Sequence, residues 1–225
     1  MWTTMRRPRY SAEPTDRAAF TKRRDRSYTA WAGVYDAAVR RLPIWKTWLR
    51  HALPQITGPR VLEVSVGTGC LLTQYADQVD ACAMDLNYRM LEITRRNLAR
   101  TRGAARLLQA NVELLPYRDG SFDSVVNTMA FSGYPDGRRA LAEMARVLRS
   151  DGRLILVDVG YPRDRNWIGM TLATQWIRTG DLIRDMGGLF EGCDLTYTDE
   201  EIGGFGSVHL YVAAKSSVSG CAGSN

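Results

Sequence analysis

The sequence predicts an α/β protein in which a mostly parallel, seven-stranded sheet is covered by helices on both faces, giving three layers. Short apolar runs alternate along the chain with segments of helical periodicity. Several runs are almost continuously apolar, as expected of parallel strands buried on both faces. The 225 residues, 45% hydrophobic and 24% charged, suit one globular domain. The predicted strands are residues 61–64, 81–86, 106–109, 122–129, 153–159, 194–198 and 207–213.

Four helical regions lie between or before these strands. The first carries aromatic and apolar residues at helical spacing and is interrupted by Pro43. The third places its apolar residues at i, i+3, i+4 and i+7, on one face. The fourth is long and is expected to break near Gly180. The predicted helices are residues 28–53, 87–100, 141–148 and 166–186.

The net charge of +6 is concentrated at the start of the chain, where residues 1–26 hold eight basic and three acidic side chains. This pattern predicts a basic, partly mobile arm over residues 1–27, a domain over 28–215 whose first helices form a lid, and a disordered tail over 216–225. A nucleic-acid enzyme would carry its basic surface on the folded domain, so no nucleic-acid partner is expected. Contact of the arm with an anionic membrane surface stays open.

Neither metal binding nor secretion is indicated. The four cysteines show no C-x-x-C pair, and the two histidines are far apart, so no metal site is expected. No apolar run approaches the roughly 20 residues of a membrane-spanning helix. The arginines near the start are not followed by an apolar core, which predicts a cytoplasmic protein.

A glycine loop follows the first predicted strand, at Gly67-Thr68-Gly69. Glycines there allow a sharp turn and a close approach of the backbone to a ligand, and we expect a helix to start directly after them. A dinucleotide enzyme would have G-x-G-x-x-G/A, but the third small position is Leu72. A nicotinamide cofactor is therefore disfavoured.

Polar residues end the next three predicted strands. Asp85 ends the second strand, where an acidic residue of nucleoside-binding α/β folds accepts the ribose hydroxyls. Residues 109–113 end the third strand, where a short polar side chain can meet an adenine amino group. Asn127 lies near the end of the fourth strand. Since the carboxyl ends of parallel strands meet at one edge, these residues are expected to converge on one pocket.

In combination, these segments resemble the class I methyltransferases, and within them the small-molecule branch similar to the quinone-biosynthesis methyltransferases. The resemblance covers roughly residues 28–215 and implies the Rossmann-like methyltransferase fold with S-adenosyl-L-methionine as cofactor. The segments that carry it are VLEVSVGTG (61–69), MDLNYRML (84–91), QANVELLPYRDGSFDSVVNTMAF (109–131) and ALAEMARVLRSDGRLILVD (140–158). The glycine loop alone would be a weak signal.

The resemblance implies a role for each matching residue. The methionine part of the cofactor would lie against Glu63, Gly67, Thr68, Gly69 and the backbone near Asn127. The adenosine part would be held by Asp85 at the ribose and by Leu86, Met90, Asn111 and Val112 around the adenine. Two positions depart from the family pattern, because Ser65 replaces the first glycine and Asn111 replaces a commoner aspartate. A helix-capping role for Asp85 and a core role for Met90 stay open.

Methyl transfer from a sulfonium depends mainly on holding the acceptor near the methyl group, and a base is needed only for an acceptor that must lose a proton. The candidates for a base or a positioning group are His209, Tyr134, Tyr28 and Tyr161, although His209 also fits a half-buried sheet residue. The substrate chamber is expected to include the aromatic residues Trp31, Phe131, Trp167 and Trp176.

The resulting hypothesis is an S-adenosylmethionine-dependent methyltransferase that acts at a C, O or N atom of a small molecule. Phospholipid amine methylation at a membrane surface is an alternative, because the basic arm and the Trp45/Trp48 segment could meet anionic lipid. A protein that binds the cofactor without transferring methyl groups is a second alternative.

Overall fold

The structure, a computed structural model, describes residues 10–41 and 43–216. Its strands are β1 (Arg60–Val64), β2 (Asp80–Asp85), β3 (Ala105–Gln109), β4 (Phe122–Thr128), β5 (Leu148–Val159), β6 (Leu195–Gly203) and β7 (Val208–Lys215). Its α-helices are α1 (Arg17–Arg41), α2 (Pro43–Arg50), α3 (Tyr88–Leu98), α4 (Gly137–Val147), α5 (Trp167–Arg178) and α6 (Met186–Glu191). Among the described helices, none is long and apolar enough to cross a membrane.

The seven strands form one sheet in the order β3-β2-β1-β4-β5-β7-β6. Neighbours from β3 to β5 pair in parallel, and β7 runs antiparallel to both β5 and β6. The predicted mostly parallel, seven-stranded sheet is therefore confirmed. The chain leaves β1 toward β2 and β3 on one side and later returns to β4 on the other. This reversal places a crevice at the carboxyl ends of β1 and β4.

Alternate side chains of the central strands pack into two apolar cores, one on each face of the sheet. Leu62 and Leu156 face one side, where Met144 of α4 and Phe190 of α6 cover them. On the opposite face the apolar cluster contains Val61, Ala83, Val126, Ile155, Leu49 of α2 and Leu91 of α3. Burial on both faces explains why these strands are continuously apolar.

Helix α1 begins at Arg17, whereas the sequence predicted a helix from Tyr28 and an arm up to residue 27. The Asp16 carboxylate accepts a hydrogen bond from the Ala19 N–H at 2.9 Å, and Phe20 is buried as an apolar anchor. These contacts extend the helix into the basic stretch. α2 begins at Pro43, and residue 42, at the predicted interruption, lies outside the described residues. Residues 1–9 of the predicted arm and 217–225 of the predicted tail lie outside the described residues.

One other helix prediction was wrong, whereas the break expected near Gly180 was confirmed. After Gly69 the chain forms turns and one 3-10 turn, Leu72–Gln74, instead of an α-helix. Its backbone bonds mix i→i−3 with i→i−4 spacing, and the poor helix formers Asp77 and Val79 follow. The predicted helix 166–186 ends at Arg178, because Gly180 adopts φ +100°, and α6 starts where that helix was expected to end.

Candidate functional site

A cleft opens at the carboxyl ends of β1, β2 and β4, beside the reversal in strand order, and α1 and α2 complete its wall. It encloses about 1090 Å³, part of it open to solvent. We call it the strand-tip cleft. Ten of the residues predicted for the site line it: Tyr28, Glu63, Gly67, Thr68, Asp85, Leu86, Met90, Asn111, Val112 and Tyr134.

Glu63 brings a buried carboxyl group to the end of β1. Its Oε2 accepts a hydrogen bond from the Tyr75 hydroxyl at 2.7 Å. Burial raises the pKa of Glu63 to about 8, although the bond from Tyr75 acts in the opposite direction. The group therefore holds a proton at neutral pH until a cation lies beside it.

Asp85 ends β2 and organises the glycine loop. Its Oδ2 accepts the Gly67 N–H at 2.9 Å, and its Oδ1 accepts the Asn87 N–H at 2.8 Å. Burial raises the pKa of Asp85 to about 6, against the lowering effect of these two bonds. Gly67 has φ +57°, and a Cβ there would meet nothing within 4 Å, so its backbone faces the open cleft. Each Asp85 oxygen keeps a second lone pair for a ligand hydroxyl.

The opposite wall combines apolar side chains with one amide. Met90 is buried against Ala32 of α1 and Ile93 of α3 while it also lines the cleft, so the core and ligand-facing interpretations both hold. Leu86 is 37% exposed at the rim. The Asn111 Oδ1 accepts the Glu113 N–H at 2.9 Å, which fixes the turn after β3.

Two predicted contact residues, Gly69 and Asn127, do not line the strand-tip cleft. Gly69 has φ +75°, and a Cβ there would lie 2.9 Å from Thr94 Cγ2, so this glycine allows α3 to pack on the loop. Asn127 is fully buried, and its Nδ2 donates to the Val64 carbonyl at 3.1 Å. The neighbouring Thr128 and Met129 face the cleft instead. Asn127 therefore braces β1.

Two of the three tyrosines proposed as bases, Tyr134 and Tyr28, line the cleft, but they are not suited to that role. Tyr134 Oη lies 2.7 Å from both Ser65 Oγ and Asn127 Nδ2, and burial raises its pKa. Tyr28 accepts a hydrogen bond from Arg24 Nη2 at 3.1 Å, and burial raises its pKa as well. Both hydroxyls therefore keep their protons at neutral pH.

Helix α1 is fastened on two sides of the cleft. Arg24 donates to the Gly180 carbonyl at 2.9 Å and to Asp181 at 3.2 Å. Asn87, at the start of α3, donates to Asp25 Oδ1 at 2.7 Å. Sequence reasoning missed Arg24 and Asp25 as cleft residues because they lie in the stretch read as an arm. The signal that could have found them is the i, i+4 spacing of Phe20, Arg24 and Tyr28.

His209 was wrongly placed in the site, since it lines a separate cavity. This His209 cavity is also lined by Tyr161, Arg184, Asp199 and Tyr211. His209 is 3% exposed; its Nδ1 lies 2.7 Å from Asp199 and its Nε2 lies 3.2 Å from the Tyr161 carbonyl. Both ring nitrogens are engaged by acceptors of the protein. His209 pairs across the sheet with Asp158 of β5, so register carries it away from the cleft.

The predicted aromatic chamber forms only in part. Trp31 and Trp167 are 64% and 77% exposed and line none of the cavities described above. Trp45 does line the strand-tip cleft, with its ring 5.9 Å from Trp48 and 6.1 Å from Trp176. Within residues 10–41 and 43–216 there is no group of three or more His, Cys, Asp or Glu side chains able to hold a metal ion.

Comparison with known proteins identifies this arrangement. The family model described as a methyltransferase domain matches residues 62–156, which contain β2, β3 and β4 and most of β1 and β5. A phosphatidylethanolamine N-methyltransferase of Cereibacter sphaeroides is 32% identical over 142 residues, which are 62% of this chain and 69% of that protein. The chain belongs to the class I S-adenosylmethionine-dependent methyltransferases.

Other members of the class I methyltransferases match a shorter part of the chain. The ubiquinone/menaquinone biosynthesis C-methyltransferase UbiE of Geotalea uraniireducens is 33% identical over 127 residues, covering 52% of this chain and 54% of that protein. The chain thus spans about half the length of the quinone-biosynthesis relatives that it matches.

Solved structures extend the likeness of fold to most of the chain. An S-adenosylmethionine-dependent methyltransferase of Thermotoga maritima superposes with a TM-score of 0.64 at 17% identity, over 84% of this chain and 98% of that one. The [4+2]-cyclase SpnF superposes with a TM-score of 0.67 at 13% identity, over 92% and 99%. The class I fold therefore also occurs in a protein named for a different reaction, so fold alone does not fix the chemistry.

The strand-tip cleft fits S-adenosylmethionine, the cofactor of class I methyltransferases. Glu63 and Asp85 are buried carboxyl groups, and neither forms an ion pair with another described residue. Burial raises the pKa of both groups, and the hydrogen bonds that they accept offset this effect only in part. An ammonium group and a pair of ribose hydroxyls would supply the missing partners.

Proposed function

We propose that the protein transfers the methyl group of S-adenosylmethionine to a small-molecule acceptor bound in the strand-tip cleft. The observation that supports this most strongly is the convergence of residues from β1, β2, the turn after β3, and β4 on one cleft. Glu63 and Asp85 bring uncompensated carboxyl groups to it. The cytoplasmic location expected from the sequence is part of this proposal.

In the proposed complex, Glu63 accepts hydrogen bonds from the cofactor ammonium and Asp85 accepts the ribose hydroxyls. Met90, Leu86 and Val112 enclose the adenine, and Asn111 meets its polar edge. The cofactor supplies a methyl group that is already activated by the positive sulfonium. The residues of the chain therefore act chiefly by orienting the acceptor and excluding water, which can account for most of the rate.

Acceptor binding is assigned to the part of the cleft lined by Trp45, Leu49, Leu71 and Met129. These side chains are apolar, which suits a flat or apolar acceptor. The tyrosines keep their protons at neutral pH and His209 lies elsewhere. We therefore assign no general base, and the acceptor atom is one that is nucleophilic without one.

The test uses S-adenosylmethionine with a deuterated methyl group and an extract of small bacterial metabolites, followed by mass spectrometry. The expected result is one or more metabolites that gain the labelled methyl group with the intact protein and not with Asp85→Ala. Cofactor binding in calorimetry without any labelled product would support the alternative of a binding protein without methyl transfer. Absence of cofactor binding would refute both.

Phospholipid amine methylation is a second candidate, favoured by the relative from Cereibacter sphaeroides. Trp45 packs against Trp48 and Trp176, and both Trp45 and Trp48 are half-buried, so this segment offers only part of its tryptophan surface to lipid. Residues 1–9, which include the first three arginines, lie outside the described residues. The membrane hypothesis therefore depends on the basic start of the chain.

Vesicles that contain phosphatidylethanolamine and an anionic lipid test this candidate. Labelled methyl groups on the lipid amine, together with vesicle binding that is lost when residues 1–9 are deleted, would support it. Labelled soluble metabolites with no lipid product would favour the small-molecule acceptor. The deletion stops before Arg17 so that α1 stays intact.

A further inference from the structure

Ser65 holds an unusual position in the strand-tip cleft. It follows β1 directly, lines the cleft, and adopts φ +52°, a left-handed conformation that costs free energy for any residue except glycine. Strain of this kind persists where the surrounding structure enforces it and often marks a functional group. The hydroxyl of Ser65 is therefore the feature that needs an explanation.

Hydrogen bonds behind Ser65 fix the direction in which its hydroxyl can donate. Asn127 must turn its Nδ2 toward the Val64 carbonyl, 3.1 Å away, because an amide oxygen there would face another acceptor. The same Nδ2 donates to Tyr134 Oη at 2.7 Å. Tyr134 consequently acts as an acceptor toward Asn127 and must place its own proton elsewhere.

The proton of Tyr134 can go only to Ser65. Tyr134 Oη and Ser65 Oγ are 2.7 Å apart, and Tyr134 is 8% exposed. If Ser65 donated to Tyr134, the tyrosine proton would be buried without an acceptor, which is costly. The bonds therefore run from Asn127 to Tyr134 to Ser65. The structure shows no second protein partner for Ser65 among the described residues, so its proton faces the cleft.

We propose that Ser65 donates a hydrogen bond to the carboxylate of the methionine part of the bound cofactor, and that Tyr134 and Asn127 position it for that role. This inference rests on the proposed function. Glu63 precedes Ser65 by two residues at the end of the same strand and offers an acceptor for the ammonium group. A zwitterionic amino acid needs a donor for its carboxylate beside that acceptor, and Ser65 supplies one.

The position in the cleft supports the methionine end rather than the adenosine end. Groups assigned to adenosine come from Asp85 at the end of β2, from α3, and from Asn111 after β3. Ser65 comes instead from the end of β1, together with Glu63, and β4 brings Thr128 beside them. The inference is thus specific for one part of the ligand, which makes it testable with fragments of that ligand.

Two ligands separate the proposal from a general effect on the loop. S-adenosylhomocysteine carries the amino-acid carboxylate, whereas 5′-methylthioadenosine has the adenosine and the sulfur but no amino acid. In calorimetry, Ser65→Ala should weaken binding of S-adenosylhomocysteine about tenfold, as expected for one lost hydrogen bond to a charged group. Its affinity for 5′-methylthioadenosine should stay within about twofold of the unchanged protein.

Tyr134→Phe provides a second variant that leaves Ser65 in place. It removes the donor that directs the Ser65 hydroxyl, so it should weaken S-adenosylhomocysteine binding by a smaller factor than Ser65→Ala and again spare 5′-methylthioadenosine. Ser121→Ala is a matched control, because the Ser121 hydroxyl bonds the Arg118 carbonyl away from the cleft. It should change neither affinity.

Three outcomes would overturn the inference. Unchanged S-adenosylhomocysteine affinity in Ser65→Ala would show that the hydroxyl does not contact the cofactor. Equal weakening of both ligands would show that Ser65 only supports the loop. A loss in Tyr134→Phe larger than in Ser65→Ala would show that Tyr134 acts by itself. If the unchanged protein bound neither ligand, the proposed function would fail and not merely this detail.

Discussion

The strand-tip cleft and the His209 cavity both contain carboxyl groups, but they differ in whether the described residues supply ion-pair partners for these groups. In the cleft, Glu63 and Asp85 are buried and have no ion-pair partner within residues 10–41 and 43–216, and burial raises their pKa values to about 8 and about 6. In the His209 cavity, Asp199 contacts both His209 and Arg163, at 2.7 Å and 3.3 Å. Burial alone would raise the pKa of Asp199, but these partners lower it.

The difference shows which cavity is prepared for a ligand. A buried carboxyl group that has no ion-pair partner among the described residues is stabilised in its charged form when a ligand supplies a positive or hydrogen-bonding group. Asp199 already has such partners in His209 and Arg163. A buried histidine beside a carboxylate resembles a catalytic pair, but His209 lies outside the strand-tip cleft and both its ring nitrogens lie near protein oxygen atoms, so we expect a structural role. Four predictions, each based on amino-acid substitutions, test this contrast.

The largest expected effect concerns the pH dependence of stability without cofactor. Folded Glu63 holds its proton up to about pH 8, while the unfolded chain releases it near 4.5. Because the folded state binds the extra proton in that window, its free energy of unfolding falls as pH rises through it. In Glu63→Gln, the decrease in the free energy of unfolding over this pH window should be smaller by on the order of 3 kcal/mol.

Urea unfolding at several pH values measures the effect of Glu63. Asp199→Asn serves as the opposite case. Because the pKa of Asp199 is lowered in the folded state, Asp199 adds to the free energy of unfolding at neutral pH, and this stabilisation is lost as pH falls through the folded pKa. Parallel pH profiles for Glu63→Gln and the unchanged protein would contradict the claim that Glu63 lacks a compensating charge.

Next in size is the loss of cofactor affinity in Asp85→Ala. Removing an acceptor of two hydroxyls should weaken S-adenosylhomocysteine binding about 100-fold. Asp199→Ala, which removes a carboxylate of the His209 cavity, should leave that affinity unchanged. Calorimetry on the two variants tests the contrast directly. A similar loss in both would mean that carboxylate removal disturbs the whole sheet edge.

His209→Ala is expected to lower the free energy of unfolding by about 2 kcal/mol, since it leaves the half-buried Asp199 without one partner. Cofactor affinity and the rate of methyl transfer should not change. His51→Ala is the matched control, because the Nδ1 of His51 lies 2.8 Å from the Thr47 carbonyl one turn earlier, and its cost should stay within about 0.5 kcal/mol. A rate that falls in His209→Ala without a loss of stability would return His209 to the active site.

The smallest expected effects are the losses of stability and affinity that distinguish Gly67 from Gly69 in the same loop. Gly67→Ala and Gly69→Ala each place a side chain at positive φ, which costs about 1 kcal/mol. Gly69→Ala should cost more stability, because its methyl group would lie 2.9 Å from Thr94 Cγ2. Gly67→Ala should affect cofactor affinity more, because its methyl group would enter the cleft. Identical losses of affinity would mean that the loop moves as a unit.

Sequence reasoning located the strands and most of the strand-tip cleft because both depend on local patterns. Apolar runs identify buried strands, and the end of a strand fixes where Glu63 and Asp85 emerge. It failed for His209 because the antiparallel register of β7 on β5, which no local pattern encodes, decides which cavity the ring faces.

The start of α1 was missed for a related reason. A run of basic residues suggested a solvated arm, but Phe20 is buried and Arg24 donates hydrogen bonds to Gly180 and Asp181, far away in sequence. Arg24 reaches Asp181 only because the loop after α5 is brought beside α1 by the fold. Helix limits set by such distant contacts cannot be read from composition.

The sheet order has a consequence for how the chain can be assembled. β7 follows every other strand in sequence, yet it lies between β5 and β6, which do not pair with each other. During synthesis β5 therefore exposes an unsatisfied edge until residues 208–215 have left the ribosome, and β6 has no place to dock before then. β7 therefore completes the sheet by pairing with both β5 and β6. Shortening the chain at Val208 would leave the apolar edge of β5 exposed and prone to edge-to-edge aggregation.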